Sequence, residues 1–284
     1  MVLITAVAWG LNWPVLKFVL GEWPPFLFRA LSGVGGVLLM LPVALLRGER
    51  LWPPRGQFPR LVLAALLNIT SWMGLATLAL LWLSASEAAI LAYTMPIWAA
   101  LLAWPILGER LGWVKLAGLA CGLAGVAVLL AGQLLSAPPA ALLAKLPGVI
   151  FILGTAWLFA LGAVLAKRWP LAMPPAAAVT WQIGLGSLPL AAAATIFERW
   201  DTSRVSAAGW VGLAYVSAVA LCVAYLAWFR ALKLLPASSA ATGMLLVPVV
   251  GVFSAGFALG EPLGLRQLLA LAMTVGGVAL ASRG

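Results

Sequence analysis

The chain has 284 residues, of which 64% are hydrophobic and only 8% charged, and its formal net charge is +10. A soluble domain carries about 25% charged residues, so this composition excludes a water-soluble globule and predicts a lipid bilayer as the surroundings of the chain. Cations that bind nucleic acid form an exposed stripe. Here the Lys and Arg residues are spread between hydrophobic runs, so we predict no nucleic-acid partner.

The residue types that carry most enzyme and metal chemistry are scarce. The sequence has no His and only seven Asp and Glu residues in total, which leaves little material for metal binding or acid–base chemistry. Cys121 and Cys222 fall within hydrophobic runs, where a free thiol behaves as a small apolar side chain. We therefore predict a protein that is not an enzyme and that has no metal, cofactor or disulfide.

Charged residues and Pro/Gly clusters divide the chain into ten hydrophobic runs, each about as long as one membrane-spanning helix. The runs must be helical, because unpaired backbone groups are costly in hydrocarbon and the runs lack the alternation of barrel strands. We place the first five at residues 2–20, 26–46, 61–83, 85–107 and 112–131. The second five lie at 147–166, 175–197, 208–232, 237–259 and 265–281. Most of the Lys and Arg residues then fall on the side of both termini, which predicts cytoplasmic N- and C-termini.

Two short motifs indicate an internal duplication. Gly108–Leu111 reads GERL and Gly260–Leu263 reads GEPL, at an offset of 152 residues, the separation of Glu109 from Glu261. The flanking Pro and Gly residues match at the same offset. We therefore predict two like halves, residues 1–133 and residues 134–284.

Each predicted half contains five spans, which is an odd number, so the two halves must face opposite ways in the membrane. This is an inverted repeat, an architecture that places a binding site between the halves near mid-depth. Pro96 and Pro248 occupy equivalent positions in the fourth and ninth spans, where proline removes a helical hydrogen bond and bends the helix. We predict that both are gate hinges, with a plain structural kink as the alternative.

The charged residues near the span ends are predicted to be structural. Glu87 follows Ser84 with the spacing of a capping box, and Glu109 and Glu261 precede the fifth and tenth helices, whose N-terminal ends favour negative charge. Lys17 and Arg29, like Arg230 and Lys233, lie where long cations reach the interface. The middle of the bundle is therefore predicted to be uncharged.

Polar and aromatic residues near the middle of the spans are the candidates for a binding site, because small-molecule pockets are apolar with a few hydrogen-bonding groups. The predicted substrate-binding residues are Asn12, Trp13, Trp72, Tyr93, Met95, Trp157 and Tyr225. With 15 Trp in the chain, plain packing or interface anchoring is the alternative for any one of them. Glycines of the fifth and tenth spans predict close helix packing, within the monomer or in a homodimer.

Some of these features occur together in a known family. The sequence combines Trp9, Gly10 and Asn12 near its start with the helix of Pro96 that leads into Gly108–Leu111, and it repeats the last two features. It thereby resembles the drug/metabolite transporter superfamily, specifically its ten-helix EamA-type members, over essentially the whole chain. The resemblance implies a location in the bacterial inner membrane and a cavity lined by spans one, three, four, six, eight and nine.

Within that superfamily, Tyr93, Trp72 and Trp157 resemble the central-cavity positions of YddG-type aromatic amino-acid exporters, whereas Met95 stands where a Trp is expected. The resemblance implies export of aromatic and other neutral amino acids, facilitative or weakly coupled, by alternating access through an uncharged aromatic cavity. The alternatives are a carrier for another metabolite, such as a nucleotide-sugar or a lipid-linked compound, a channel-like pore, and a non-transporting membrane scaffold.

Overall fold

The computed structural model describes residues 1–109, 112–136, 139–234 and 243–281, and its regular structure there is helical. We number the helical segments α1 to α10 in chain order. The first five are α1 Val2–Val19, α2 Pro25–Leu46, α3 Phe58–Ala79, α4 Ala85–Leu107 and α5 Trp113–Ser136. The second five are α6 Pro139–Arg168, α7 Pro175–Phe197, α8 207–234, α9 Leu246–Leu259 and α10 Leu265–Ala281.

Length and composition agree with a membrane bundle. Among the described residues, α1 to α4 and α6 to α8 are long and apolar enough to cross a bilayer, while the apolar part of α5 (Trp113–Leu129), α9 and α10 are shorter. The predicted ninth span begins at residue 237, and its first six residues lie outside the described part of the chain. The all-α architecture predicted from composition is confirmed.

Irregular segments occur at matching places in the two halves. Helix α3 contains a π-helical segment, Ala65–Thr70, and α8 contains another, Val216–Val223. The offset of the GERL and GEPL motifs brings these two segments into register. Since π-helical turns are rare, their occurrence at equivalent positions supports a shared architecture of the halves.

Helix α4 is interrupted rather than gently bent. It consists of Ala85–Ala92 and Met95–Leu107, separated by a turn at Tyr93 and Thr94, and a comparable turn precedes α9. Pro96 lies in the first helical turn after the break, where a missing N–H costs no helical hydrogen bond. Pro96 thus follows the break in α4 and does not bend a continuous helix. The role of Pro96 and Pro248 as hinges stays a prediction.

The two repeated motifs end helices in the same way. Gly108 and Gly260 have positive φ angles of 72° and 67° and follow the last residues of α4 and α9. Left-handed glycine just past a helix end is the usual C-terminal stop. The glycine of each motif is thus explained by backbone geometry.

The packing of the helices follows the same relation between the halves. Helix α2 packs on α7 and α5 packs on α10, so that each of these helices contacts its own counterpart. Helix α1 packs on α9, and α6 packs on α4. These two contacts are equivalent, because α6 is the counterpart of α1 and α9 is the counterpart of α4. This pattern is that of a pseudo-two-fold axis between the halves. The boundary between residues 133 and 134 stays a prediction.

Helices α5 and α10 approach closely at their glycines, as predicted. A Cβ added to Gly277 would lie 2.5 Å from the nitrogen of Gly122 and 2.6 Å from the carbonyl oxygen of Gly118. Only glycine permits this backbone contact. Gly276, by contrast, has no atom within 4 Å of an added Cβ and does not take part in it.

Carboxylates at the ends of helices cap helices of the other half. Glu198, after α7, accepts hydrogen bonds from the backbone nitrogens of Phe26 and Leu27 at the start of α2, both at 2.8 Å. Glu49, after α2, accepts one from the nitrogen of Ala177 at the start of α7, also at 2.8 Å. Both carboxylates satisfy amides that have no partner within their own helix, so α2 and α7 cap each other.

Glu261 follows the same rule, which corrects the prediction that it acts on its own helix, α10. Its carboxylate accepts hydrogen bonds from the backbone nitrogens of Ala85 and Ser86, at 2.7 and 2.9 Å, at the start of α4. Glu109 forms an exposed ion pair with Lys167 at 2.5 Å, and the hydrogen bond from Lys167 holds the pKa of Glu109 below its usual range.

The capping box predicted at the start of α4 is present. The hydroxyl of Ser84 accepts a hydrogen bond from the nitrogen of Glu87, and the Glu87 carboxylate accepts one from the nitrogen of Ser84. Glu87 also forms an ion pair with Lys145 at 2.8 Å. Helix α4 therefore starts from a point fixed both locally and, through Glu261, by the other half.

Candidate substrate cavity

A cavity of about 270 Å³ lies among α1, α3, α4, α6 and α8, with contributions from α2 and from Met244 just before α9. This volume is close to the lower end of the range of about 300–1,000 Å³ for small-molecule pockets. Six of the seven predicted substrate-binding residues line it: Asn12, Trp13, Trp72, Tyr93, Met95 and Tyr225. The structure brings these six side chains together, and their contact with a substrate stays a prediction.

Helix α1 supplies one wall through residues one helical turn apart. Trp9, Asn12, Trp13 and Leu16 all face the cavity, as the spacing of i, i+3, i+4 and i+7 requires on one helical face. The indole nitrogen of Trp9 donates a hydrogen bond to the carbonyl oxygen of Ala220 at 2.9 Å. Ala220 belongs to the π-helical segment of α8, so the irregular helix supplies the acceptor that orients this ring.

Aromatic rings contact one another around the cavity. Trp72 of α3 packs against Trp13 of α1, with ring centroids 6.1 Å apart, and against Phe159 of α6 at 5.2 Å. Trp9 and Tyr225 meet edge to face at 5.3 Å. Edge-to-face and tilted contacts of this kind are favourable, and together these rings form the apolar wall of the cavity.

The helix breaks also meet the cavity. Tyr93 lies in the turn that interrupts α4, Met95 begins the next helical segment, and Met244 belongs to the turn before α9. Discontinuous helices at the interface of two inverted halves form the central sites of many transporters. The breaks therefore border the cavity between the two halves.

Trp157 is the predicted site residue that does not line the cavity. Its side chain is 41% exposed, whereas Thr155 and Ala156 just before it are fully buried. Phe159, two residues further along α6, lines the cavity instead. Two residues correspond to about 200° around a helix, so Trp157 and Phe159 lie on different faces of α6, and a role of Trp157 in substrate binding stays a prediction.

Arg29 corrects the prediction that the cavity is uncharged. Its side chain stays within the helix bundle, where it is 2% exposed and lines the cavity. Arg29 is the fifth residue of α2, about 6 Å inside its start by the helical rise. Its Nε donates a hydrogen bond to the hydroxyl of Thr77 on α3, so the side chain is drawn into the bundle.

Lys17 also forms hydrogen bonds inside the bundle. Its ammonium donates to the carbonyl oxygens of Leu80 and Leu83, at 2.5 and 2.8 Å. These carbonyls belong to the end of α3 and the turn after it, where helical acceptors are unpaired. Lys17 therefore ties α1 to the end of α3.

Two polar atoms of the cavity residues are buried without a hydrogen-bond partner within the described part of the chain: Asn12 Oδ1 and Arg29 Nη2. Buried polar groups are nearly always paired, so such exceptions need an explanation. Of the two, Asn12 was predicted from the sequence and Arg29 was not. A cation in an otherwise apolar helix is the signal that identifies it.

A second cavity, also of about 270 Å³, lies among α3, α6 and α7. Its polar lining residues are Arg60, Asn68 and Gln182, and Phe229 of α8 lies at its edge. It contains none of the seven predicted substrate-binding residues. The first cavity is therefore the candidate substrate site.

Comparison with known families gives the chain its family. The EamA-like transporter family model matches residues 1–131 and residues 146–283. The chain belongs to the EamA-like transporter family. The resemblance noted in the sequence is thus confirmed, and the chain is a polytopic membrane protein of the drug/metabolite transporter type.

Individual relatives match over nearly the full length. The chain is 30% identical to the uncharacterized transporter YvbV of Bacillus subtilis, over 96% of this chain and 88% of that protein. It is 29% identical to a probable amino-acid metabolite efflux pump of Salmonella typhimurium, over 98% and 92%, and 26% identical to the uncharacterized inner membrane transporter YedA of Escherichia coli, over 98% and 88%. A protein of known crystal structure aligns with a TM-score of 0.70 at 23% identity, over 98% of this chain and 95% of that one, which shows the same fold.

Proposed function

We propose that this EamA-type transporter exports amino acids, chiefly aromatic and other neutral ones, across the bacterial inner membrane. The observation that carries the proposal is the cavity between the halves, in which aromatic rings of α1, α3, α6 and α8 surround buried polar atoms. A relative named as a probable amino-acid metabolite efflux pump supports the same substrate class. Transport proceeds by alternating access, facilitative or weakly coupled.

The chemistry of the cavity suits a small molecule with one apolar part and a few polar groups. Rings such as Trp72, Phe159 and Tyr225 offer dispersion contact and edge or face interactions to an apolar or aromatic side chain. An ammonium group is attracted to the face of a Trp or Tyr ring. A neutral amino acid combines both features.

The proposed orientation places both termini in the cytoplasm, as the distribution of Lys and Arg indicates. The partners are the amino-acid substrate and the lipid bilayer. The mass of the detergent-solubilised protein distinguishes a monomer from a homodimer.

Counterflow in liposomes tests the proposal. Purified protein is reconstituted in vesicles loaded with unlabelled phenylalanine, methionine or threonine, and uptake of the labelled amino acid is measured. Trp72→Ala and Tyr93→Ala should each lower uptake about tenfold or more at sub-saturating substrate, because each removes a ring of the cavity. Trp104→Ala, at a 61% exposed position of α4, is the matched control and should retain wild-type uptake.

Each outcome assigns the function. Saturable counterflow of amino acids supports the proposed carrier, and flux that does not saturate and shows no counterflow indicates a channel-like pore. Flux of nucleotide-sugars or lipid-linked compounds, without flux of amino acids, indicates the carrier for another metabolite. Absence of any flux, with protein correctly inserted, indicates a scaffold.

A further inference from the structure

A positive charge is buried beside the cavity, on Arg29 of α2. Its side chain lines the cavity together with Leu16, Met73 and Ala76, and it is 2% exposed. Its Nε donates a hydrogen bond to the hydroxyl of Thr77, which in turn donates to the carbonyl oxygen of Met73 at 2.5 Å. These bonds hold the guanidinium from one edge.

The remainder of the guanidinium is not satisfied by the protein. Nη2 is buried and makes no hydrogen bond within the described part of the chain. The two ion pairs found there, Lys145 with Glu87 and Lys167 with Glu109, do not involve Arg29. Ionisable residues inside membrane bundles are costly and mark substrate or ion pathways, generally with a partner of opposite charge. A bound ligand is therefore the candidate for the negatively charged partner of Arg29.

The same cavity contains a polar atom of complementary character. Asn12 Oδ1 is buried without a partner within the described residues. An amide oxygen accepts hydrogen bonds, whereas a guanidinium only donates them. The cavity thus offers a positively charged donor on α2 and a neutral acceptor on α1, with aromatic rings around them. A molecule that has both a carboxylate and an ammonium group satisfies both.

The geometry points to Arg29 as the residue that binds the carboxylate of the transported amino acid, with Asn12 accepting a hydrogen bond from its ammonium group. This assignment rests on the proposed function, because it places the two polar ends of an amino acid within the same cavity. Guanidinium–carboxylate hydrogen bonds are charge-assisted and stronger than neutral ones. Binding of substrate then neutralises a charge that the empty protein leaves uncompensated.

The test changes the protein and the ligand together. Purified protein is titrated with phenylalanine, with phenylalaninamide, which lacks the carboxylate, and with 3-phenylpropionate, which lacks the ammonium group. Affinities are obtained from the rise in Tm with ligand concentration, since a ligand that binds the native state stabilises it. We expect the wild type to bind phenylalanine about 10- to 100-fold more tightly than its amide, the loss that follows from one charged hydrogen bond.

Variants at Arg29 distinguish a role in binding the carboxylate of the ligand from a role in folding of the protein. Arg29→Gln should weaken phenylalanine binding to the level of the amide while leaving the affinity for the amide unchanged. Arg29→Lys keeps the charge without the planar donor group, so it should retain part of the preference, and it serves if Arg29→Gln does not fold. Arg266→Gln, which removes an exposed cation at the start of α10, is the matched control and should keep the full preference.

The result that overturns the inference is a ratio of the two affinities that is the same in the wild type and in the Arg29 variants, which would leave Arg29 a structural role only. Binding of 3-phenylpropionate that depends on Arg29, without binding of any amino acid, would reject the proposed function and keep the carboxylate site. Failure of both carboxylate-bearing probes to bind the wild type would reject both.

Discussion

Two aromatic residues of α6 show that the helical face on which a residue lies decides whether it lines the cavity. Trp157 and Phe159 lie at nearly the same depth, yet only Phe159 lines the cavity and Trp157 is 41% exposed. The packing of Phe159 against Trp72, with centroids 5.2 Å apart, gives its ring one orientation. The contribution of α6 to the site therefore comes from one face of the helix.

Alanine substitutions at these two positions should have different effects. Phe159→Ala removes a ring from the cavity wall and frees Trp72 on one side, so the KM for amino-acid counterflow should rise about tenfold. Trp157→Ala removes a ring outside the cavity and should leave KM within about twofold, the scatter of surface substitutions. A rise in KM for Trp157→Ala that matches that for Phe159→Ala would contradict the position of the cavity.

At the level of single residues, the sequence predicts which side chains are deep but not which way they face. Helix α6 is apolar on all sides, so no hydrophobic stripe identifies its inner face. Arg29 shows a different limit. The cost of a buried cation predicts that it extends to the interface, but the hydroxyl of Thr77, 48 residues away in sequence, holds it at the cavity. Such a contact is created only by the packing of α2 on α3.

At the level of the elements, regular features are predictable and irregular ones are not. The capping box at Glu87 and the glycine stops at Gly108 and Gly260 follow from short motifs whose backbone chemistry is local. The π-helical segments of α3 and α8 have no such motif. Both make hydrogen bonds to other helices: the carbonyl oxygen of Ala220 in α8 accepts one from Trp9, and the hydroxyl of Thr70 in α3 donates one to the carbonyl oxygen of Gly186.

The contact between α5 and α10 provides a test at this scale. Gly277→Ala would place a Cβ 2.5 Å from the backbone nitrogen of Gly122, and since backbone cannot move aside cheaply, we expect a loss of about 1–3 kcal/mol in stability. Gly276→Ala adds the same methyl group where no atom lies within 4 Å. It should be neutral or slightly stabilising, because alanine favours a helix over glycine.

Thermal unfolding of the two purified variants in one detergent gives the comparison. The expected order of Tm is Gly276→Ala at or above the wild type, and Gly277→Ala below it. Equal Tm values for the two variants would show that α5 and α10 do not touch as described.

At the level of the whole molecule, the halves are held together by hydrogen bonds from backbone amides to carboxylates as well as by apolar packing. The carboxylates of Glu49, Glu198 and Glu261 each accept hydrogen bonds from the start of a helix in the other half. The internal duplication and the ten-helix architecture follow from composition and motif spacing. This exchange of caps does not, because the sequence shows that a carboxylate lies near a helix end without showing which helix it meets.

The cap on α2 can be removed in steps. Glu198→Ala deletes the acceptor of two amide hydrogen bonds and should cost about 0.5–2 kcal/mol, the usual loss for a helix cap. Glu198→Gln retains an amide oxygen for one of those bonds and should lie between alanine and the wild type. Thr202→Ala, at an exposed position of the loop that follows, is the control and should leave Tm unchanged. Equal Tm for all four proteins would contradict a stabilising role of the cap.

The position of Glu198 in the chain also bears on how the protein is made. The backbone nitrogen of Leu27 and the carboxylate that caps it are separated by 171 residues. At a synthesis rate of about 5–20 residues per second, Leu27 is made roughly 10 to 30 s before Glu198. During that interval α2 is already synthesised while the amides at its start have only water or lipid headgroups for partners. The first half of this transporter is therefore inserted before the cap of its second helix exists, and α2 gains that cap only when the second half has been synthesised.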